Sequence, residues 1–233
     1  PAYRTFTRSV QLPKLKPAEI PAAVELEAEQ YISAPLEDLY VDYEIIKESD
    51  ETTELFIVAV PKTIVDSYLD LAQLLGLEAV RIEPTLSSSA RLFSLDAQSD
   101  VATFIIDFGS LSSDISIFDG KTLVTGTVQG GGENFTNYIK DELKVSAKEA
   151  QLIKTRYGLG ASKKQKEILH ALEPTLQMIV KEIRRMIRYY EERYGTERPI
   201  SQLITLGGGA NMPGLSEYLT NQLRLAVRHS EPW

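Results

Sequence analysis

Three chain reversals hold the residues whose types and spacing could do chemistry. In Asp107-Phe108-Gly109-Ser110-Leu111-Ser112-Ser113-Asp114, an apolar strand at 103–106 runs into an acidic residue and a glycine, and the next strand begins within a few residues. A tight turn of this kind presents consecutive backbone N–H groups with hydroxyls beside them, a concave row of donors suited to a phosphate. An Asp at the strand end can hold a magnesium ion through water, because hard cations prefer carboxylate oxygen. The second reversal, Gly130-Gly131-Gly132 before Glu133-Asn134-Phe135, sets three glycines between a strand and a helix. Glycine lets the backbone approach a ligand closely, and the helix start adds a positive dipole end for an anion. The third, Gly207-Gly208-Gly209-Ala210-Asn211, again follows an apolar strand. Each alone reads equally well as a plain hairpin or a loose connection. Their order and separation make the case for one polyphosphate ligand.

The elements around these turns follow from hydrophobic period. Residues 3–12 read as a strand stopped by Pro13, and 17–32 as a helix with Pro21 in its first turn, where a missing N–H is tolerated. Strands at 41–47 and 55–60 pair across the acidic loop 48–54, and 63–75 has helical spacing with Gly76 as its C-terminal cap. A strand is expected at 77–82 and a helix at 84–95, and the polar break 96–100 is the expected domain boundary. Beyond it come strands at 101–108, 113–118 and 122–129, with Asp119-Gly120 as the hairpin turn between the last two. Helices follow at 134–143 and 147–157, the second opened by the Ser146/Glu149 capping box. A long helical tract at 163–194 is expected to break or kink at Pro174, before a strand at 200–206 and a helix at 214–223.

Composition narrows the function classes. The chain has 233 residues, 43% apolar and 25% charged, with Gly and Pro not in excess: ordinary globular protein with room for one large domain or two smaller ones. Without cysteine it has no disulfides or thiolate metal sites, and His170 and His229 lie too far apart in sequence to suggest a histidine metal site or a Ser-His-Asp triad. A net charge of −8 argues against nucleic acid as a partner. No apolar run approaches the roughly 20 residues that span a bilayer, and no signal peptide is visible. The chain enters a strand almost at Pro1 and stops at Trp233 after a short apolar run, so the expectation is a piece cut from a longer protein.

The order Asp-x-Gly hairpin, Gly-Gly turn, helix with Lys, and apolar strand into Gly-Gly-Gly-Ala resembles the actin/Hsp70/sugar-kinase ATPase family. Within it the chain is most similar to the PilM family of type IV pilus machines, with FtsA next. The more family-specific residues are Pro1-Ala2-Tyr3 leading to Leu12-Pro13, Glu27-Ala28-Glu29-Gln30-Tyr31-Ile32, Pro35-Leu36-Glu37-Asp38-Leu39, Asp42-Tyr43, and Val58-Ala59-Val60 before a helix. The resemblance implies an α/β fold: an actin-like ATPase (ribonuclease H-like) lobe over 96–233, with an additional small α+β subdomain and its connection over 1–95. It implies ATP and Mg2+ as ligands. Asp107 would anchor water-coordinated magnesium, and the backbone of Gly109, Ser110, Leu111 and Ser112 would hold phosphates. Gly130, Gly131 and Gly132 would lie near phosphate or ribose, and Gly207, Gly208, Gly209 and Asn211 would form the adenosine turn. Lys154 would pack its stem against adenine. Gln151 sits where relatives usually carry Glu; a carboxylate accepts two ribose hydroxyl bonds, whereas Gln accepts at one oxygen. The family's first phosphate loop has no counterpart here, so about the first third of a relative and a short C-terminal piece are expected to be missing. A chain with one of two phosphate clamps is expected to bind ATP poorly.

The resemblance further implies a cytoplasmic adaptor peripheral to the inner membrane, touching the membrane only indirectly. Its implied partner is the cytoplasmic N-terminal tail of a PilN-like inner-membrane protein, lying against the small subdomain within 1–80. Contact with the pilus motor ATPase and ring-like self-assembly are also implied. Hydrolysis would be slow at most: no dedicated base stands out, and Glu133, the nearest, reads equally as a first-turn helix charge. The rival readings are an FtsA-like cell-division membrane tether and a small-molecule kinase of the same superfold. Lys181, Arg184, Arg185 and Arg188 form a basic stripe that reads as a solvated helix face, with Ile179, Ile183, Met186, Ile187 and Tyr190 as its core side. Glu25, Glu27, Glu29, Glu37 and Asp38 read as solvated charge.

Overall fold

In the computed structural model, residues 4–94 and 101–230 are described; the expected break at 96–100, the opening Pro1-Ala2-Tyr3 and the last three residues lie outside them. Chain contacts divide the molecule into two units, Pro1–Leu92 with Lys121–Thr125, and Phe93–Gly120 with Gly126–Trp233.

The first unit is built on alternation. Strands β1 (Phe6–Pro13), β2 (Leu39–Glu48) and β3 (Thr52–Pro61) form an antiparallel sheet in the order β1-β3-β2. The helix α1 (Ile20–Tyr31) buries Ile20, Val24 and Ala28, a spacing of four that lines one face. Ile20 and Val24 join Val10, Leu55 and Ile57 in one core. Residues 121–125, the tip of a later hairpin, belong to this unit: Lys121 donates to the Ile45 carbonyl at 2.5 Å, and the Thr7 and Thr125 hydroxyls meet at 2.6 Å.

Helix α2 (Lys62–Leu74) ends where expected, with Gly76 at φ +68° just past it. It buries no residue, and Tyr68, Leu71 and Leu74 stand exposed on it. The strand expected at 77–82 is not formed. Leu77, Val80 and Ile82 are exposed in irregular backbone, because an apolar alternation becomes a strand only beside a hydrogen-bonding neighbour, and neither sheet supplies one. Helix α3 follows at Thr85–Ser94.

The second unit carries a five-stranded sheet in the order β6-β5-β4-β7-β8, from β4 (Thr103–Phe108), β5 (Ser112–Phe118), β6 (Thr122–Gln129), β7 (Gln202–Leu206) and β8 (Ala226–His229). β4 runs antiparallel to β5 and parallel to β7, and β7 runs parallel to β8. This is the mixed order of a ribonuclease H-like lobe. Consecutive burial of Phe104, Ile105 and Ile106 shows that the central strand is covered on both faces. Helices α4 (Gly132–Leu143), α5 (Ala147–Arg156), α6 (Gln165–Tyr194) and α7 (Leu215–Leu223) complete it. The α5 capping box forms as the sequence predicts, with Ser146 N donating to Glu149 Oε2 at 3.0 Å and Glu149 N to Ser146 Oγ at 3.3 Å. The expected break at Pro174 does not occur. α6 runs unbroken through it, because Pro174 faces solvent while Leu172, Thr175 and Leu176 beside it are buried. The core side of α6 continues through Ile179, Ile183, Met186 and Tyr190.

Candidate functional site

β4 and β7 are parallel neighbours, so their C-terminal ends lie side by side, and each runs into one of the glycine turns. Asp107 is the last-but-one residue of β4 and pairs in register with Leu206 of β7 on one side and with Asp114 of β5 on the other. Ligands of open α/β sheets gather at this end of parallel strands. All three sequence-predicted turns meet here.

The first and second turns are sewn together by backbone bonds. Gly132 N donates to Gly109 O at 2.9 Å, Glu133 N to Ser110 O at 2.9 Å, and Gly130 N to Leu111 O at 3.2 Å. Ser113 Oγ donates to Gly130 O at 2.7 Å. Gly131 N is taken by Asn134 Oδ1 at 3.2 Å. The Gly132 and Glu133 amides that open α4 are therefore spent on the neighbouring turn. In this conformation the 130–132 segment lines the site without offering free N–H groups to an anion, as the expectation of a helix-start anion site had required. Gly109 N donates to Asp107 O at 3.1 Å, and the amides of Ser110 and Leu111, at the exposed tip of the first turn, make no such turn bond. Gly131 is required by contact: a Cβ there would lie 2.5 Å from Gly109 O.

The third turn closes on the first. Gly207, at φ +78°, faces the Asp107 carboxylate so tightly that a Cβ would overlap Asp107 Oδ1 and lie 2.7 Å from Phe108 O. A Cβ on Gly209 would lie 2.8 Å from Phe108 Cβ. Gly208 has open space on its side-chain side. Residues Gly208–Asn211 coil into a single 3-10 turn, and Asn211 ends it exposed. Behind this turn Leu159 N donates to Pro213 O at 2.7 Å, tying the end of α5 to the loop that follows the glycines.

The electrostatics centre on two carboxylates. Burial, then the facing Asp114, pushes the Asp107 carboxyl above its ordinary range. Burial also pushes Asp114 up, tempered by hydrogen bonds from Thr127 and Ser112; Thr127 Oγ1 donates to Asp114 Oδ1 at 2.8 Å. Among the described residues no group of three or more His, Cys, Asp or Glu side chains could hold a metal by itself. Two carboxylates facing across a ladder still fit a magnesium ion that keeps several waters and takes its other ligands from a phosphate. The glycine cradle and the two unspent amides beside them fit that phosphate.

Gln151 and Lys154 join the site through the second turn. Lys154 Nζ donates to Gly132 O at 2.6 Å and to Thr136 Oγ1 at 2.8 Å, and Thr136 Oγ1 lies 2.8 Å from Gln151 Oε1. No bond links either residue to Asp107 or to the 207–209 turn. Burial pushes the Lys154 ammonium pKa down. Sequence reasoning assigned no role to Asp114, Thr127 or Thr136. Asp114 had a usable signal: a hairpin centred on 110–111 puts 107 opposite 114. Thr136 had a weaker one, lying one helical turn beyond Gly132.

The sequence model of the family described as type IV pilus assembly protein PilM matches residues 1–233. Cell division protein FtsA of Bacillus subtilis (strain 168) is 28% identical over 244 residues, which cover 89% of this chain and 55% of FtsA. Among solved structures, the PilM-PilN type IV pilus biogenesis complex is similar with a TM-score of 0.80 at 24% identity, over 99% of this chain and 67% of that one. MreB5 of Spiroplasma citri bound to AMPPNP is similar with a TM-score of 0.58 at 16% identity, over 73% of this chain and 60% of its own. These likenesses make the fold actin-like. The chain spans about half the length of the FtsA relative. Among the described residues no helix is long and apolar enough to cross a membrane.

Proposed function

The chain belongs to the type IV pilus assembly protein PilM family, and from that premise we propose that it works as a nucleotide-binding adaptor of pilus assembly. Mg2+–ATP occupies the meeting point of the three turns, and the small N-terminal subdomain docks the cytoplasmic N-terminal tail of a PilN-like inner-membrane protein. The protein then works on the cytoplasmic side of the membrane, held there through that partner.

One observation carries the nucleotide part: the turns at 107–112, 130–132 and 207–209 lie against one another at the ends of adjacent strands, with Gly207 pressed on Asp107. In this reading Asp107, with Asp114 beside it, holds magnesium through water. The free amides of Ser110 and Leu111 receive phosphate oxygens, and the open side of Gly208 faces the nucleoside. When bound, the ion neutralises charge on the phosphates. Glu133, the candidate for orienting water, is exposed on the first turn of α4, so turnover is slow and the nucleotide acts as a conformational ligand. The PilN part is supported by the solved PilM-PilN complex, whose fold this chain shares over 99% of its length.

Two measurements test the proposal. Titration calorimetry of this chain with Mg2+–ATP is expected to give weak, saturable binding, as one phosphate clamp allows, that Asp107→Asn abolishes. A pull-down with a synthetic PilN N-terminal tail is expected to retain the chain. Absence of heat for ATP removes the nucleotide part, and absence of capture removes the adaptor part.

A further inference from the structure

The outward face of α6 holds a groove of about 530 Å³ along 178–192. Met178 and Tyr189, both exposed, are its apolar parts. Lys181, Arg185 and Arg188 stand along it at spacings of four and three, on one side of the helix. Arg185 is paired with Glu182, and Arg184 is turned aside onto Gln222 O at 2.6 Å. The side chains of Lys181 and Arg188 meet no partner among the described residues. The opposite charge is concentrated in the other unit. Residues 1–92 with 121–125 carry nine Lys and Arg against sixteen Asp and Glu, a net of −7, which leaves −1 of the chain's −8 to the second unit. With Ile20, Val24 and Ala28 buried, the outer face of α1 presents Glu25, Leu26 and Glu29, and Leu26 is 60% exposed. Glu25 and Glu29 stand one turn apart, about 6 Å along the axis, as do Lys181 and Arg185. The 12 residues of α1 span about 18 Å, within the roughly 21 Å of the groove.

We propose that the acidic outer face of α1 in one copy of this chain docks in the basic groove of α6 in a second copy. Glu25 and Glu29 pair with Lys181, Arg185 and Arg188, and Leu26 packs against Met178 and Tyr189. The two faces differ, so the contact is heterologous and copies add head to tail. A helix-on-helix contact of this length buries less than about 1,200 Å², the range of weak assemblies. The association is therefore weak, and because its charges are exposed it is salt-sensitive. It needs no nucleotide, so it stands or falls apart from the ATP site.

The test is sedimentation of the 26.0 kDa chain at about 50 mM salt and at about 500 mM, where exposed charges are screened. The mean mass is expected to rise with protein concentration at the lower salt and to return to that of one chain at the higher. Two charge reversals decide which faces meet: Glu25→Lys with Glu29→Lys on α1, and Lys181→Glu, Arg185→Glu and Arg188→Glu together on α6. All five positions are exposed, and circular dichroism checks that each variant stays folded. Either variant alone sets like charges against each other and is expected to remain single at both salt concentrations. An equal mixture of the two is expected to associate again, because the unaltered α1 of one variant meets the unaltered α6 of the other. The proposal is overturned if the parent chain stays single at the lower salt, if either variant alone associates as the parent does, or if the mixture fails to associate.

Discussion

Gly207 lies so close to the carboxylate of Asp107 that a Cβ on the glycine would overlap Asp107 Oδ1. The two belong to adjacent parallel strands, in which Asp107 pairs with Leu206. The glycine turn after β7 thus forms one wall around the acid that ends β4. Any change that pushes the turn outward also moves the carboxylate.

Gly207 and Gly208 are therefore expected to respond differently to alanine. Gly207→Ala must hold a side chain at φ +78° and displace Asp107 and Phe108 O. A left-handed conformation costs about 1–2 kcal/mol for an L-residue, and overpacking adds about 1–3 kcal/mol. A loss of about 2–5 kcal/mol by urea denaturation is expected. Gly208→Ala meets nothing within 4 Å and is expected to stay within about 0.5 kcal/mol, while its new methyl group weakens ATP binding.

Asp107 is expected to be a stability cost at neutral pH. Its carboxyl is pushed above the ordinary value of 3.8, first by burial and then by Asp114. A carboxyl raised in this way contributes stability that is fully present below its unfolded value and lost as pH rises through its folded one. Asp107→Asn removes that loss. The variant is expected to be more stable than the parent at pH 7 by about 1 kcal/mol, a rise in Tm of about 2–4 °C for a chain of this size. The gain should shrink to nothing as the pH falls toward the ordinary carboxylate range. A variant less stable at pH 7, or a gain independent of pH, contradicts the assignment.

Much of this site was legible because its devices are local. The Asp-x-Gly hairpin, the Asp119-Gly120 turn, the Ser146/Glu149 box and the glycines after two apolar strands each lie within a few residues and carry their own stereochemistry. What escaped depends on distant neighbours. The apolar stretch at 77–82 has strand chemistry but no sheet edge to join. Pro174 signals a break, yet facing solvent it removes a hydrogen bond without opening the core. Ala226–His229 becomes β8 only because β7 presents a parallel edge to it. The capture of the α4 amides by Gly109 O and Ser110 O depends on the 107–112 turn folding against 130–132. A reading of the glycines in isolation takes those donors as free.

The second turn offers its own contrast. A Cβ on Gly131 would lie 2.5 Å from Gly109 O and 2.6 Å from Ser110 O, both rigid backbone. A Cβ on Gly132 would meet Lys154 Nζ at 3.4 Å and Gly109 O at 3.7 Å, ordinary contacts. Gly131→Ala is expected to part the two turns and cost about 1–3 kcal/mol. Gly132→Ala sits in the first turn of α4 and is expected to be neutral or to gain up to about 1 kcal/mol from helix propensity. Thermal melts of the two variants, followed by circular dichroism, check the order. Equal effects would mean that the turns do not touch.

At the far end of α6, Tyr190 closes the core with one hydroxyl. Its side chain is 1% exposed, and its oxygen lies 3.1 Å from both Asp119 Oδ2 and Arg198 O. Asp119 also pairs with Arg198 at 2.7 Å. One proton serves one acceptor, so Tyr190→Phe removes a single hydrogen bond from a nearly dry site, and a loss of about 1–3 kcal/mol is expected. Burial, then Asp119, raises the phenol pKa from 10.0 to about 12. The folded protein resists ionising Tyr190 where the unfolded chain does not. This contribution is therefore fully present below pH 10.0 and lost as the pH rises toward about 12. Urea denaturation at pH 8 and again near pH 11 separates the two effects. The gap between the parent and Tyr190→Phe should be widest at pH 8 and narrow at the higher pH. A gap of the same size at both would show that Tyr190 acts through ring packing alone, with its hydroxyl contributing nothing.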